Sequence, residues 1–433
     1  MGGNGEEPRR FVAADVGDRL VGLAWFPDSE RLGYLKRSVG ARNLDVGIMS
    51  RGLKESQSWA VFTDPRLVAF RVVSDGRILV SLADSPVNAR GFDLWEIKTD
   101  LRTGQASSCP RRLTNWSGSS LVDFSVTADG KHLAYLDGTA DYDVYNAEHA
   151  EDGLSLKPPR RLTLDDSLDF PGAWTPDGKA ILFTSNRNGN LDIFKQALNQ
   201  RTAEAILAGP EDECDPYVSP DGAWILYFDL PTFRRFNSTE PVTLRRLSLS
   251  GGPSQVVMSE PGFCCISCAR SEANVCVMDK RIGDDLIFYA LDPVQGMGRE
   301  LTRIREPIVH WWRVSHDGSS IAMTTPERGG GIRILSLTGE PARDIPINEP
   351  IDDIAWSVDG RGFYAATIDA HVVTGAVAGS YQKLLFIDLD GSIQTLWQSG
   401  NFNSVYTRQS PDGRYIALEM GRMAANAWIM ENF

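Results

Sequence analysis

Asp169-Phe170-Pro171-Gly172-Ala173-Trp174-Thr175-Pro176-Asp177-Gly178-Lys179 decides the fold, because the chain repeats its closing turn at a nearly constant interval. The same turn returns at Val73-Ser74-Asp75-Gly76-Arg77, Thr127-Ala128-Asp129-Gly130-Lys131, Ser219-Pro220-Asp221-Gly222, Ser315-His316-Asp317-Gly318, Ser357-Val358-Asp359-Gly360-Arg361 and Ser410-Pro411-Asp412-Gly413-Arg414. Phe26-Pro27-Asp28-Ser29 is an eighth copy with Ser in place of Gly. Asp221 and Asp317 are 96 residues apart, about twice the period, and a degenerate copy, Ala269-Arg270-Ser271-Glu272, lies midway. The 433 residues thus hold nine units.

Pro presets φ for the second position of a turn, Asp suits the third, and Gly takes the left-handed position that closes a bulged hairpin. Each Asp-Gly is therefore a hairpin tip between two short apolar strands, such as Phe170 to Trp174 and Ala180 to Thr184. A third strand follows, as in Leu191-Asp192-Ile193-Phe194, and a brief edge segment such as Arg161-Leu162-Thr163 completes four. Four short strands per unit make a propeller blade. A β-sandwich would not repeat one turn at constant spacing, and solenoid coils are shorter, on the order of 20–30 residues.

The expected fold is all-β: a single closed β-propeller of about nine four-stranded blades in one domain, with blades near 16–65, 66–115, 116–164, 165–209, 210–259, 260–303, 304–347, 348–398 and 399–433. The last unit lacks an outer strand, and residues 1–15, through Arg10-Phe11-Val12-Ala13-Ala14, supply a strand without a blade. Joining them removes two exposed edges, so the N-terminus is expected to close the last blade. Eight blades plus an aberrant hairpin near residues 263–291 is the alternative.

The units around Trp174 and Val218, and the link Thr184-Ser185-Asn186-Arg187-Asn188-Gly189-Asn190-Leu191-Asp192-Ile193-Phe194, resemble the Trp-Asp-type repeats of the TolB-like propellers. That resemblance covers essentially the whole chain, although copies one and six depart from it. It implies a bacterial, extracytoplasmic scaffold, the sensor region of a larger regulator, or a propeller beside a hydrolase domain, and fold alone does not choose among these.

A formal net charge of −13 argues against nucleic acid as a partner. No apolar run reaches membrane-spanning length, and Met1 to Arg10 contain no secretory leader pattern, which points towards the cytoplasm. No nucleophile elbow, phosphate loop or zinc-protease motif occurs. Of five histidines, His132 and His316 fall at hairpin turns, whereas His310 precedes an inner strand and is a candidate for the channel. Cys264, Cys265, Cys268 and Cys276 cluster in the sixth unit. Alignment puts Cys268 at the place of Trp174 and Cys276 at that of Leu182, so they are expected as free, packed thiols, with a metal or a disulfide as the alternative. Trp25, Trp174 and Trp356 share one register and are expected to pack between blades.

The connections entering the inner strands are acidic: Asp165, Asp166 and Asp169; Glu211, Asp212, Glu213 and Asp215; Glu349, Asp352 and Asp353. Asp169, Asp215 and Asp352 are read as structural. The others are expected to form a negative mouth that attracts calcium or a basic peptide. The resulting expectation is a monomeric, non-catalytic binding or scaffolding module for a protein or basic peptide. The alternative is an enzyme of lyase, cyclase or hydrolase type sited in the channel.

Overall fold

The computed structural model describes residues 10–14, 18–39, 44–83, 92–100, 103–115, 120–127, 129–150, 155–165, 167–229, 241–269, 274–305, 311–325, 331–349, 351–367, 382–399 and 404–431. Among them every regular element is a β-strand. Seven antiparallel sheets have four strands and one has five. The chain divides into two compact units, Met1–Thr139 with Ala424–Phe433, and Ala140–Met423.

The first unit holds β1–β4 (Asp18–Trp25, Arg31–Val39, Leu44–Gly52, Trp59–Thr63) and β5–β8 (Leu67–Val72, Ile78–Ala83, Phe92–Ile97, Arg111–Arg112), each sheet in chain order. Here too β9 (Ser120–Val126) pairs with the first half of β10 (His132–Glu148). The first strands β1, β5 and β9 touch in turn, and Leu35, Ile48, Phe70, Ile78, Leu94 and Leu133 are among its buried core residues.

The second unit holds β11 (Arg160–Arg161) and five sheets in chain order. These are β12–β15 (Asp169–Trp174, Ala180–Ser185, Asp192–Ala197, Glu204–Leu207), β16–β19 (Cys214–Val218, Trp224–Phe228, Val242–Ser248, Gln255–Glu260) and β20–β23 (Phe263–Cys268, Cys276–Ile282, Asp285–Asp292, Gly296–Arg305). After them come β24–β27 (Trp312–Val314, Ser320–Thr324, Gly331–Ser336, Arg343–Pro346) and β28–β31 (Ile351–Trp356, Gly362–Thr367, Gln382–Asp388, Ile393–Ser399). The chain finishes with β32 (Ser404–Gln409) and β33 (Tyr415–Glu431).

β10 and β33 are each 17 residues long and lie side by side in the order β11-β10-β33-β32, with β9 attached to β10, so the third and ninth units share one sheet. Nine units thus give eight sheets among the described residues. The edge that the N-terminus was expected to cover is taken by β10, and Arg10 to Ala14 form no strand. In the second unit β12 packs on β16, β16 on β20, β20 on β24, β24 on β28, β28 on β32 and β32 on β12. The ninth unit therefore adjoins the eighth and the fourth, in place of the expected single circuit of nine. The sixth unit is a complete four-stranded sheet, not an aberrant hairpin.

The turn works as its chemistry dictates. The Thr175 hydroxyl donates to Asp177 Oδ1 at 2.6 Å, and that oxygen also accepts the Lys179 N–H at 3.1 Å. The Ser357–Asp359 and Ser410–Asp412 turns repeat the pattern. These bonds hold Asp177 and Asp412 below the usual carboxylate range.

Trp174 and Trp356 are buried between neighbouring sheets and donate their indole N–H to the carbonyls of Arg408 and Arg313. Trp25, in the first unit, is instead 55% exposed. Cys268 and Cys276 face each other across β20 and β21 as a disulfide, which corrects the expectation of free thiols. Their positions in register make the bridge geometrically available, and the same register placed them in the core.

Candidate functional site

Six residues occupy one register on the six first strands of the second unit: Ala173, Tyr217, Ser267, Arg313, Ala355 and Arg408. Each stands two positions before the first residue of its turn. All six line one cavity of about 100 Å³, together with Cys268, His316, Trp356 and Gln409. Four of the six inner strands, β12, β16, β20 and β28, carry a register shift. Gly172 stands at the bulge of β12, and a Cβ there would lie 2.4 Å from the Pro216 carbonyl oxygen of β16.

The cavity's charge comes from two arginines that share one carboxylate. Asp353, fully buried, accepts from Arg313 Nη2 at 3.1 Å, from Arg408 Nη1 at 3.2 Å and from the Thr407 N–H at 3.0 Å. Each arginine also folds back on the carbonyl before it, Arg313 on Trp312 and Arg408 on Thr407. Burial and the neighbouring Arg313 charge pull the Arg408 pKa below its ordinary value, with Asp353, Tyr217 and Asp215 opposing. Arg408 Nε and Nη2 have no hydrogen-bond partner among the described residues, and Arg408 lines the cavity. Trp311 packs edge-on against Tyr406 at 5.6 Å, so Trp312 faces the core and Trp311 does not.

The acidic residues are placed differently from a free ring of charge. Asp165 pairs with Arg187 at 3.2 Å, Glu349 with Lys383 at 2.8 Å, and Asp353 with the two arginines. Asp169 is buried beside Arg187, and burial pushes its carboxyl up. Glu211 is exposed, whereas Asp212 accepts the Leu191 N–H at 3.0 Å. Glu213 is pushed up to about 7 by burial and by the charges of Asp192 and Asp212. Its Oε2 is buried with no hydrogen bond among the described residues. Asp166 and His310 lie outside the described residues, as does the side chain of Asp352. His316, at its hairpin turn, also lines the cavity.

Arg313 and Arg408 stand on β24 and β32, away from the loops that carry the charge conspicuous in the sequence. Their signal is visible once the copies are aligned: four of the six positions in this register are Ala, Ser or Tyr, and two are Arg.

Among solved structures the chain is similar to TolB from Acinetobacter baumannii at 15% identity, over 81% of this chain and 82% of that one, with a TM-score of 0.43. It is also similar to an oligogalacturonate lyase in complex with manganese (13% identity, 68% and 76% covered, TM-score 0.40) and to a nidogen/laminin complex (10%, 57% and 89%, 0.42). These identities and TM-scores assign neither a family nor a role, and the fold is described by its own sheets: all-β, in four-stranded antiparallel units. No family model matches the chain, and the curated proteins gave no match.

Proposed function

We propose that residues 140–423 form a six-bladed ring and that the protein is a non-catalytic binding module whose axial cavity receives a carboxylate carried by a protein or peptide. The observation that carries this reading is Arg408, whose Nε and Nη2 have no hydrogen-bond partner among the described residues and which lines a cavity framed by all six first strands. Guanidinium donors fit carboxylate oxygens. A volume of about 100 Å³ falls well below the roughly 300–1,000 Å³ of pockets that enclose small molecules. One anionic group can anchor there while the rest of its molecule stays outside, which suits a docking site better than an enzyme pocket.

The test is a thermal shift titration with glutarate and with a Glu-rich peptide, on wild type and Arg408→Gln. Ligand at ten times Kd should add about 1.4 kcal/mol to wild type and nothing to the variant. Equal shifts in both proteins, or none in either, would overturn the reading.

Glu213 favours a second site. Its crowded carboxyls, Asp192 and Asp212 included, suit calcium or a basic peptide group that relieves their repulsion. Calcium should then raise the melting temperature of wild type and leave Glu213→Gln unchanged.

A further inference from the structure

We propose that Cys264, Cys265 and Asp279 form a buried binding site for a thiophilic divalent cation of the zinc class. Consecutive strand residues normally point to opposite faces of a sheet. Here the β20–β21 register slips between Phe263 and Ile266, and this bulge brings the Cys264 and Cys265 Sγ atoms to 3.0 Å of each other. A bulge re-aims side chains in this way. Asp279 on β21 completes the set: the two sulfurs and a carboxylate oxygen all lie within 4.8 Å of one another. The three residues are only 7%, 5% and 4% exposed.

The chemistry of the donors selects the ion. Thiolates bind zinc, cadmium and cobalt, whereas calcium and magnesium require oxygen. Zinc–sulfur bonds of about 2.3 Å at a tetrahedral centre place the sulfurs roughly 3.8 Å apart, so the thiols need to part by under about 1 Å. The Cys265 N–H donates to Asp279 Oδ1 at 2.6 Å, which orients the carboxylate within the cluster. Two thiolates and a carboxylate carry three negative charges, and a divalent cation cancels two of them inside a cluster that includes Val277, Leu286, Phe288 and Trp312. Cys268 and Cys276 are already joined, so the hairpin divides its four cysteines into a bridge and a thiol pair.

The full chain carrying Cys109→Ser, which removes the exposed thiol, is isolated anaerobically without reductant and titrated with cobalt(II). One equivalent should produce a thiolate-to-cobalt charge-transfer band with tetrahedral visible bands, and zinc should bleach both. The Cys264→Ser, Cys265→Ser double variant should lose the spectrum, and Asp279→Asn should weaken binding about tenfold or more. Should the double variant fail to fold, wild type supplies the second measurement. Zinc should then protect Cys264 and Cys265 from alkylation in mild urea, read by peptide mass spectrometry. The proposal fails if no band and no protection appear, if the band survives in the folded double variant, or if the two thiols are isolated as a disulfide.

Discussion

Ser29 holds the left-handed backbone, φ 56°, that Gly76, Gly130, Gly178, Gly222, Gly318, Gly360 and Gly413 hold in the other copies of the turn. A Cβ in that region costs about 1 kcal/mol or more, which glycine avoids. Ser29→Gly should therefore stabilise the first unit by about 1 kcal/mol in denaturant unfolding, and a loss of stability would refute the strain argument. Arg71, Arg313 and Arg408 show a second residue-scale habit. All three stand at the same register, and each donates Nη1 to the carbonyl of the residue before it. Glu213 titrates where proteins are usually studied. Burial and the neighbouring Asp192 charge push its carboxyl up to about 7 from the ordinary 4.5, so the folded state keeps a proton that the unfolded state releases. Its contribution is fully present at low pH and disappears as pH rises through about 7. After allowance for solvent screening this amounts to about 1–2 kcal/mol. Asp143, pushed up to about 6 by burial against the pull of Arg161, adds a decline with the same sign. Melting curves of wild type and Glu213→Gln between about pH 5 and 8 isolate the first part: the variant should lose less stability across that window. Parallel curves would show that Glu213 ionises normally.

At the scale of the element, the bulge of β12 sets how closely two neighbouring first strands meet. Gly172 lets β12 and β16 meet, and Gly172→Ala drives a methyl group into the Pro216 carbonyl. That backbone cannot yield as a side-chain tip can, so the variant should be destabilised by about 3 kcal/mol. A denaturant midpoint within experimental error of wild type would show that the strands can separate without cost. The turn motif made the hairpins legible, because Asp-Gly chemistry is local and repeats at a constant interval. The bulges were not legible, since they depend on how neighbouring sheets crowd one another. For the same reason the thiols of Cys264 and Cys265 read as packing: nothing in two adjacent strand residues announces that both face one way. The acidic loops stood out in the sequence, but the partners of Asp165 and Glu349, Arg187 and Lys383, come from other turns and strands, so those two charges are paired.

At the scale of the molecule, the two terminal segments differ in what they hold together. Arg10 to Ala14 make local contacts: the Phe11 carbonyl accepts from Arg51 Nη1 at 2.7 Å, and the Arg51 guanidinium lies 5.0 Å from the Phe11 ring centre. One such hydrogen bond and one partly exposed cation–π contact are together worth about 2 kcal/mol at most. Deleting residues 1–14 should lower the melting temperature slightly and leave the scattering of the sample unchanged. The opposite end carries far more. β32 stands between β28 and β12, supplies Arg408 to the cavity and offers the carbonyl that accepts the Trp174 indole. β33 fills the sheet between β32 and β10. A chain ending at residue 403 would strip a partner from β10, β12 and β28 at once and expose sheet edges that invite association. It should aggregate or lose its cooperative transition, whereas the N-terminal deletion should not. Light scattering and thermal melts on both truncations compare the two directly. If the N-terminal deletion aggregates while the chain ending at 403 stays folded and monodisperse, the last blade is closed by the N-terminus after all, and the pairing of β33 with β10 is wrong.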